Sequence, residues 1–429
     1  MRKVWIVGLG PGAEGMCLRG VAEVLARADV LAGAGRLLDA AEGLAGAGRD
    51  GARPARVEEI APARIRDSLD SLEFDEACVV CSGDTGYYSL ATSMREALDS
   101  GSYEVVTLPG ITTVQVMAAR LGRPWQGCVL RSTHGKSCNI VGEVLAAPEV
   151  FFLTGGEIVP STIARELCEA GLGFVEMAVG ERLSYPDERV VVAPASELVG
   201  VEFDSLASVW ASRPSLMSDE LADFPLLTCG IPDDAFARGN VPMTKQEVRA
   251  CCMAKLGLAK GDVVYDVGAG TGSVSVEMAL ASPMNKVFAI EANPEGCELI
   301  ERNRRRFGAY NVRVVEGLAP DAMEGLPAPD AAFVGGSKGN LQQIVEKLLE
   351  ANPACKVVAT AIAMETIAEA QRVFAGLCES GRMRGFEVSM VNVSRSREVG
   401  SYHLLTALNP IAIFSARGAG DPSETKISR

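Results

Sequence analysis

Two glycine-rich loops stand in different settings on this chain, Gly8-Leu9-Gly10-Pro11-Gly12 and Asp266-Val267-Gly268-Ala269-Gly270-Thr271-Gly272. Each follows a short apolar run, residues 4–7 or 263–267, and precedes a stretch with helical spacing. That strand, turn, helix order suits a nucleotide-like ligand, because glycine reaches positive φ freely and lets the backbone approach closely. In the second loop the glycines fall as G-x-G-x-G, and an acid, Glu291, ends the next expected strand, residues 287–290. The glycines let the methionyl part of S-adenosylmethionine lie against the backbone, and Glu291 can accept hydrogen bonds from both ribose hydroxyls. Gly268, Ala269, Gly270, Thr271, Gly272 and Glu291 are therefore candidates for a methyl-donor site. Two other readings stand beside it: a nicotinamide dinucleotide, which also wants a ribose acid but a different glycine spacing, and a plain tight turn with a solvated Glu291.

The first loop formally contains G-x-G-x-x-G, from Gly10 to Gly15, with Asp29 where a ribose acid can sit. Two further turn-rich segments follow later strands, Ser82-Gly-Asp-Thr-Gly-Tyr-Tyr-Ser89 and Leu108-Pro-Gly-Ile-Thr-Thr-Val-Gln115. Three such loops at strand ends describe a cleft. His134, beside Gly135 and Lys136, can bind a substrate carboxylate or move a proton near neutral pH, or be part of an ordinary surface loop. Cys78 and Cys81 lie three apart in an expected strand and so point to opposite faces, which favours packing over metal or redox chemistry. Cys251 and Cys252 on an amphipathic helix read the same way, and no zinc framework is visible. Arg302, Arg304, Arg305 and Arg306 are expected to point outward from a helix, as a solvated face or as help in drawing in an anionic substrate.

The elements that position these residues alternate β-like and helical runs, which predicts α/β layers. Residues 1–205 form the first domain, with a second subdomain from about Val116. Residues 206–238, rich in Pro and Gly, are expected to be a linker. Residues 239–415 form a second α/β domain that opens with an amphipathic stretch over 244–258. There Asn293-Pro294 can start a helix that Gly308 stops, with Leu299, Ile300 and Phe307 on its buried face. Residues 416–429 are expected to be a disordered tail. The 429 residues, 48% of them hydrophobic, can bury sizeable cores, and a net charge of −14 argues against general affinity for nucleic acid. No apolar segment reaches the ~18–20 residues that span a bilayer. The chain enters a strand directly after Met1-Arg2-Lys3, so a cytoplasmic location is expected, with its 12 cysteines reduced.

The second half resembles the decarboxylating C15-methyltransferases of cobalamin biosynthesis. The resemblance lies in Val241-Pro-Met-Thr-Lys-Gln-Glu-Val-Arg249, the glycine loop, Ala289-Ile-Glu-Ala-Asn-Pro294 and Asp330-Ala-Ala-Phe-Val-Gly-Gly-Ser337. It implies that Thr244 and residues 268–272 contact the donor, Glu291 its ribose, and Leu318 and Ala319 its adenine. Leu318 stands where many related enzymes carry an acid, so adenine recognition through the Ala319 backbone is implied. The three loops of the first half, with Ser132-Thr-His-Gly-Lys136, resemble the tetrapyrrole methylases, in particular those that methylate C5 of the corrin precursor. Thr85 replaces a proline common there. This resemblance implies a two-subdomain tetrapyrrole methylase fold, followed by a Rossmann-like methyltransferase domain. It also implies a donor cleft touching Leu9, Gly10, Asp84, Tyr87, Thr112 and Thr113.

Together the halves imply methylation at C5 and C15 with loss of the ring C acetate carboxyl. They also imply S-adenosylmethionine as cofactor, no resident metal, a polycarboxylate tetrapyrrole as partner, and a homo-oligomer. Candidate cations for the substrate's carboxylates are Arg131 and Lys136 in the first half and Lys245, Arg249, Lys338, Arg395 and Arg397 in the second. His134, Lys245 and Arg249 are the candidates for a role in the reaction itself. A methyltransferase acting on RNA or protein, or a nicotinamide-dependent oxidoreductase, remains an alternative.

Overall fold

The computed structural model describes residues 2–46, 53–99, 101–133, 138–214 and 229–420. The chain divides into two compact units, one of Met1–Cys138, Glu149–Arg165 and Phe174–Ser212, the other of Asn139–Pro148, Glu166–Gly173 and Arg213–Arg429.

The first unit holds two sheets. Strands β1 (Arg2–Gly8), β2 (Val30–Gly33), β3 (Ala55–Glu58), β4 (Glu76–Cys81) and β5 (Tyr103–Leu108) make a parallel sheet in the order β3-β2-β4-β1-β5. Both faces of this sheet are covered, so its central strands are apolar at successive positions rather than alternate ones. Ala77, Val79 and Cys81 of β4 enter one core, while Cys78 and Val80 enter the other. The cysteine pair is thus split between two apolar layers, as its spacing in a strand requires.

The other sheet of this unit contains β6 (Val129–Ser132), β7 (Glu149–Leu153), β8 (Glu176–Glu181), β9 (Arg189–Pro194) and β10 (Ala207–Ser212), ordered β6-β7-β10-β8-β9. Its strand β10 lies beyond residue 205, where the first domain was expected to end. Ala207–Ser212 is buried nearly throughout and pairs antiparallel with both β7 and β8, so these residues are sheet and not linker. Small residues around Trp210 hide the strand from a reading based on β-branched runs. Residues 215–228 of the expected linker lie outside the described residues.

The second unit is built on β11 (Val263–Val267), β12 (Lys286–Glu291), β13 (Val312–Glu316), β14 (Ala331–Val334), β15 (Lys356–Ala361), β16 (Met383–Val391) and β19 (Ile411–Gly418). The order is β13-β12-β11-β14-β15-β19-β16, parallel except for β19, which runs antiparallel to β15 and β16. Val263, Tyr265 and Val267 of the central strand face one core and Val264 the other. Strands β17 (Ser394–Val399) and β18 (Tyr402–Ala407) form a separate hairpin. Residues 416–418, expected to belong to the tail, are strand, because β19 continues to Gly418. Residues 421–429 lie outside the described residues.

Helix Gln246–Leu256 buries Val248, Cys252 and Leu256 and ends at Gly257, whose φ of 54° closes it in the left-handed region. Helix Pro294–Arg306 starts as its sequence suggests: the Asn293 side chain accepts the Glu295 N–H at 3.0 Å and Pro294 occupies the first turn. Its arginines do not all point outward. Arg304 is only 7% exposed, and Nη1 donates to the Val312 carbonyl at 2.5 Å, whereas Arg302 and Arg305 are exposed. No helix among the described residues is long and apolar enough to cross a membrane.

Candidate functional site

In the second unit the glycine loop bridges the carboxyl end of β11 and the helix Ser273–Ala281. Gly268 and Gly270 have φ of 71° and 57°, conformations that a side chain strains. A Cβ on Gly268 would stand 2.6 Å from the Gly336 carbonyl oxygen, and one on Gly270 2.4 Å from that of Pro242. The missing side chains therefore serve the chain first, by letting three backbone segments meet around one cavity. Gly268, Gly270, Glu291, Leu318, Ala319 and Lys338 are among the residues that line it.

Glu291 at the end of β12 is 9% exposed and already anchored at both oxygens. Oε2 accepts the Gly270 N–H at 2.7 Å and Oε1 the Asn293 N–H at 2.8 Å. A carboxylate has about four acceptor positions, so each oxygen retains one toward the cavity. Gly296 permits this arrangement, because a Cβ there would fall 2.7 Å from the Glu291 Cγ.

Thr271 and Gly272 do not line the cavity, and neither do Ala269 and Thr244. Thr271 is buried, and its carbonyl accepts from Asn303 Nδ2 at 2.8 Å. Asn303 also accepts the Ala237 N–H at 2.7 Å, tying the loop to the segment before helix Gln246–Leu256. Below the loop, Asp266 is fully buried and accepts from the Ser275 hydroxyl; burial pushes its carboxyl up to about 7. Asn303 was missed in the sequence, since its spacing does not separate it from an ordinary helix position, and Asp266 stood at the head of the glycine motif with no role assigned to it.

Arg249 is a correction to the expected cationic lining. It has no exposure at all: Nε donates to Glu277 at 2.6 Å, Nη1 to the Thr244 carbonyl at 2.6 Å, and Nη2 to the Ile231 carbonyl. Its guanidinium also meets Asp233 at 3.3 Å and stacks 4.8 Å from the Phe236 ring. A group consumed in this way cannot greet a substrate; it fixes the stretch that carries Thr244. Arg395 is likewise engaged, bidentate to Glu247 at 3.1 and 2.6 Å and within 2.9 Å of Asp233. Arg397 is exposed on β17, and Lys245 immediately precedes helix Gln246–Leu256 without a capping hydrogen bond from its side chain. Of the five cations, Lys338 is the one that lines the cavity.

In the first unit, loops from β1, β4 and β5 meet backbone to backbone. A Cβ on Gly110 would lie 2.2 Å from the Gly83 carbonyl oxygen and 2.7 Å from that of Gly8, and Gly10 bridges Gly83. Asp84 locks two of the loops, accepting the Gly86 N–H at 2.8 Å and the Gly110 N–H at 2.9 Å. Thr112 caps helix Thr113–Leu121 in a reciprocal pair with Gln115. Asp84, Tyr87, Thr112 and Thr113 line a cavity of about 630 Å³ together with Ser132, Thr154 and Ser208 from the mixed sheet. Burial pushes the Tyr87 phenol up, and its hydroxyl donates to the Arg131 carbonyl at 3.3 Å.

Leu9 and Gly10 line a small adjoining pocket that shares Pro11, Arg36 and Ser82 with the larger one. Arg131 does not line the large cavity and donates to the Leu130 carbonyl at 2.9 Å. His134 and Lys136 lie outside the described residues. Asp29 is no ribose acid: it precedes β2, at the opposite end of the sheet, and accepts the N–H groups of Asp75 and Glu76.

Comparison with known proteins matches residues 3–199 to the tetrapyrrole (corrin/porphyrin) methylases and residues 234–417 to the precorrin methyltransferase domain. A precorrin-6Y C(5,15)-methyltransferase (decarboxylating) of Sinorhizobium is 33% identical over 64% of this chain and 65% of its own length. A probable cobalt-precorrin-6B C(15)-methyltransferase (decarboxylating) of Pyrobaculum calidifontis is 40% identical over 45% of this chain and 98% of its own. Among solved structures, the precorrin-6Y C5,15-methyltransferase of Geobacter metallireducens is 35% identical over 46% of this chain and 100% of its own, with a TM-score of 0.42. With the Pyrobaculum relative, 40% identical, covered over 98% of its length, and with the two family matches over residues 3–199 and 234–417, the chain belongs to the precorrin methyltransferases, the S-adenosylmethionine-dependent, decarboxylating C-methyltransferases of cobalamin biosynthesis.

Proposed function

We propose that one chain carries out two methylations of a precorrin or cobalt-precorrin, at C15 with decarboxylation in the second unit and at C5 in the first. The observation that carries this reading is the Glu291 carboxylate, held by Gly270 and Asn293 with one acceptor position per oxygen left toward the cavity. That donor set fits the two hydroxyls of a ribose. Gly268 and Gly270 would cradle the methionyl portion, and Leu318 and Ala319 would flank the adenine. In the first unit the polar rim of Asp84, Thr112, Thr113 and Ser132 gives a second cavity of suitable chemistry.

Bound S-adenosylmethionine supplies an electrophilic methyl group to a nucleophilic ring carbon. The protein's residues need only align that carbon in a dry cavity, an effect that reaches about 7–11 kcal/mol in well-oriented systems. This accounts for cavities built of glycine backbone and hydroxyls rather than around a nucleophile. On loss of the ring C acetate carboxyl as carbon dioxide, the bond's electron pair passes into the conjugated macrocycle and a proton is taken up at the remaining carbon. Lys338 at the rim, with Lys245 nearby in sequence to the cavity-lining Pro242, is suited to bind substrate carboxylates. Arg249 acts as a positioning residue through the Thr244 carbonyl.

Exposed Tyr402, Leu404 and Leu405 on the hairpin favour a homo-oligomer, which sedimentation would detect. Nucleic acid is a poor target for a chain of net charge −14, and a cytoplasmic location goes with a biosynthetic role on a small acidic substrate. The decisive experiment is mass spectrometry of the macrocycle after incubation with S-adenosylmethionine and precorrin-6B, with and without cobalt. Two methyl gains and one loss of carbon dioxide are expected. An unchanged macrocycle, in a protein that still binds S-adenosylhomocysteine, would refute the assignment of the acceptor.

A further inference from the structure

The second unit has another cavity, an open groove of about 790 Å³, whose wall includes Lys255, Lys356, Arg384 and Arg417. Three of these cations are in strand register. Lys356 of β15 pairs with Arg417 of β19, and Arg417 pairs with Arg384 of β16. Directly opposed residues project from one face with Cβ atoms about 5 Å apart, so the three side chains form one transverse row. Lys255, in the last turn of helix Gln246–Leu256, supplies a fourth cation, and the Lys356 ammonium lies against Gly257 at the same helix end, 3.3 Å from where a Cβ would be.

Like charges opposed across strands cost stability. A chain with 55 acids against 41 Lys and Arg has ample means to neutralise such a row. Among the described residues one acid pairs with a cation of the groove, Glu387 with Lys255 at 2.5 Å, outside the row. Among the described residues Lys356, Arg384 and Arg417 form no ion pair. Burial, with Arg417 and Lys255 close by, lowers the Lys356 pKa, as expected of a lysine crowded by cations. Ser389 and Ser415 add hydroxyls to the same wall.

The groove is not an extension of the methyl-donor cavity. Lys356 begins β15 and pairs with Ala331, the first residue of β14, whereas the donor cavity forms past the far end of β14 at Gly335 and Gly336.

We propose that this groove is an accessory ligand site for a small polyanion, a molecule that presents two or more phosphate or carboxylate groups to Lys356, Arg384, Arg417 and Lys255. Two arginine forks and two point charges match the planar and tetrahedral oxygens of such groups. A bound polyanion would turn the mutual repulsion of the row into stabilisation of the folded chain by linkage.

The test uses the full chain with pyrophosphate and with citrate, at constant ionic strength set by chloride. Calorimetric titration and thermal unfolding are read for the parent, Arg417→Gln and Arg384→Gln. At least one of the two anions is expected to bind the parent and raise its melting temperature beyond the chloride control. Preference for pyrophosphate would identify a phosphate ligand, and preference for citrate a polycarboxylate. Each substitution is expected to weaken binding by about tenfold, a charge-assisted contact's share. Without anion each variant should melt no lower than the parent, because a repulsive neighbour is gone, while S-adenosylhomocysteine affinity is unchanged. The proposal is overturned if neither anion binds the parent, or if the variants bind as the parent does. Should Arg417→Gln fail to fold, Arg384→Gln decides the matter alone.

Discussion

At the scale of single residues, two charged groups expected to meet ligands have opposite fates. Glu291 ends a strand and keeps acceptor capacity facing a cavity; Arg249 lies on the buried face of helix Gln246–Leu256 and engages all three of its guanidinium nitrogens inside the protein. Replacing Glu291 by Ala should weaken S-adenosylhomocysteine binding in the second unit by about ten- to a hundredfold, since a charge-assisted hydrogen bond contributes about 1.5–3 kcal/mol. Titration calorimetry should then show one class of site lost and the other retained. Arg249→Met should instead cost about 3–5 kcal/mol in urea unfolding, because Glu277 would remain buried without its cation, while Asp233 keeps Arg395. Adding Glu277→Leu should recover part of that loss; no recovery in the double variant would show that the pair is not the source. Glu291 was legible because its distance from the glycine loop carries information. Arg249 and Glu277 are 28 residues apart, and nothing in their spacing announces a buried pair.

Among the elements, the glycine loop and the carboxylate beneath it set the conditions under which the second site exists. A methyl group at Gly270 meets both a φ of 57° and the Pro242 oxygen at 2.4 Å. Gly270→Ala should therefore lower stability by about 1–3 kcal/mol and abolish donor binding in this unit, measured by thermal unfolding and calorimetry. Asp266 adds a pH dependence. Its folded pKa of about 7 lies above the unfolded value near 4, so the folded state holds the proton more tightly. Its contribution is full below about pH 4 and is lost as pH rises through about 7. The parent's urea midpoint should fall between about pH 4 and 7, and Asp266→Asn should flatten that fall. An equal slope in both proteins would remove Asp266 as the cause. The helix starting at Asn293-Pro294 and the strand β11 were readable because capping and burial leave periodic, local signals. Strands β6, β8 and β10 were not, because a strand such as Ala207–Ser212 is defined by the neighbours that bury it.

For the molecule as a whole, each unit closes its cavity with a carboxylate of its own: Asp84 ties Gly86 to Gly110, and Glu291 ties Gly270 to Asn293. Each carboxylate works through backbone groups of its own unit, so the two donor sites should fail independently. Asp84→Ala leaves the loop amides of Gly86 and Gly110 without their shared acceptor, which should disorganise the first cavity while leaving the second untouched. The expected product is a macrocycle methylated at C15 and decarboxylated but lacking the C5 methyl. Glu291→Ala should give the reverse, a C5 methyl without the second methyl or the loss of carbon dioxide, if C5 methylation does not require the C15 product. Should it require that product, Glu291→Ala would return the starting macrocycle, whereas Asp84→Ala would still release the singly methylated, decarboxylated one. Mass spectrometry of the two reactions distinguishes these orders. A C5-only product from Asp84→Ala would refute the assignment of reactions to units, because the carboxylate of the first unit would then be serving the chemistry proposed for the second.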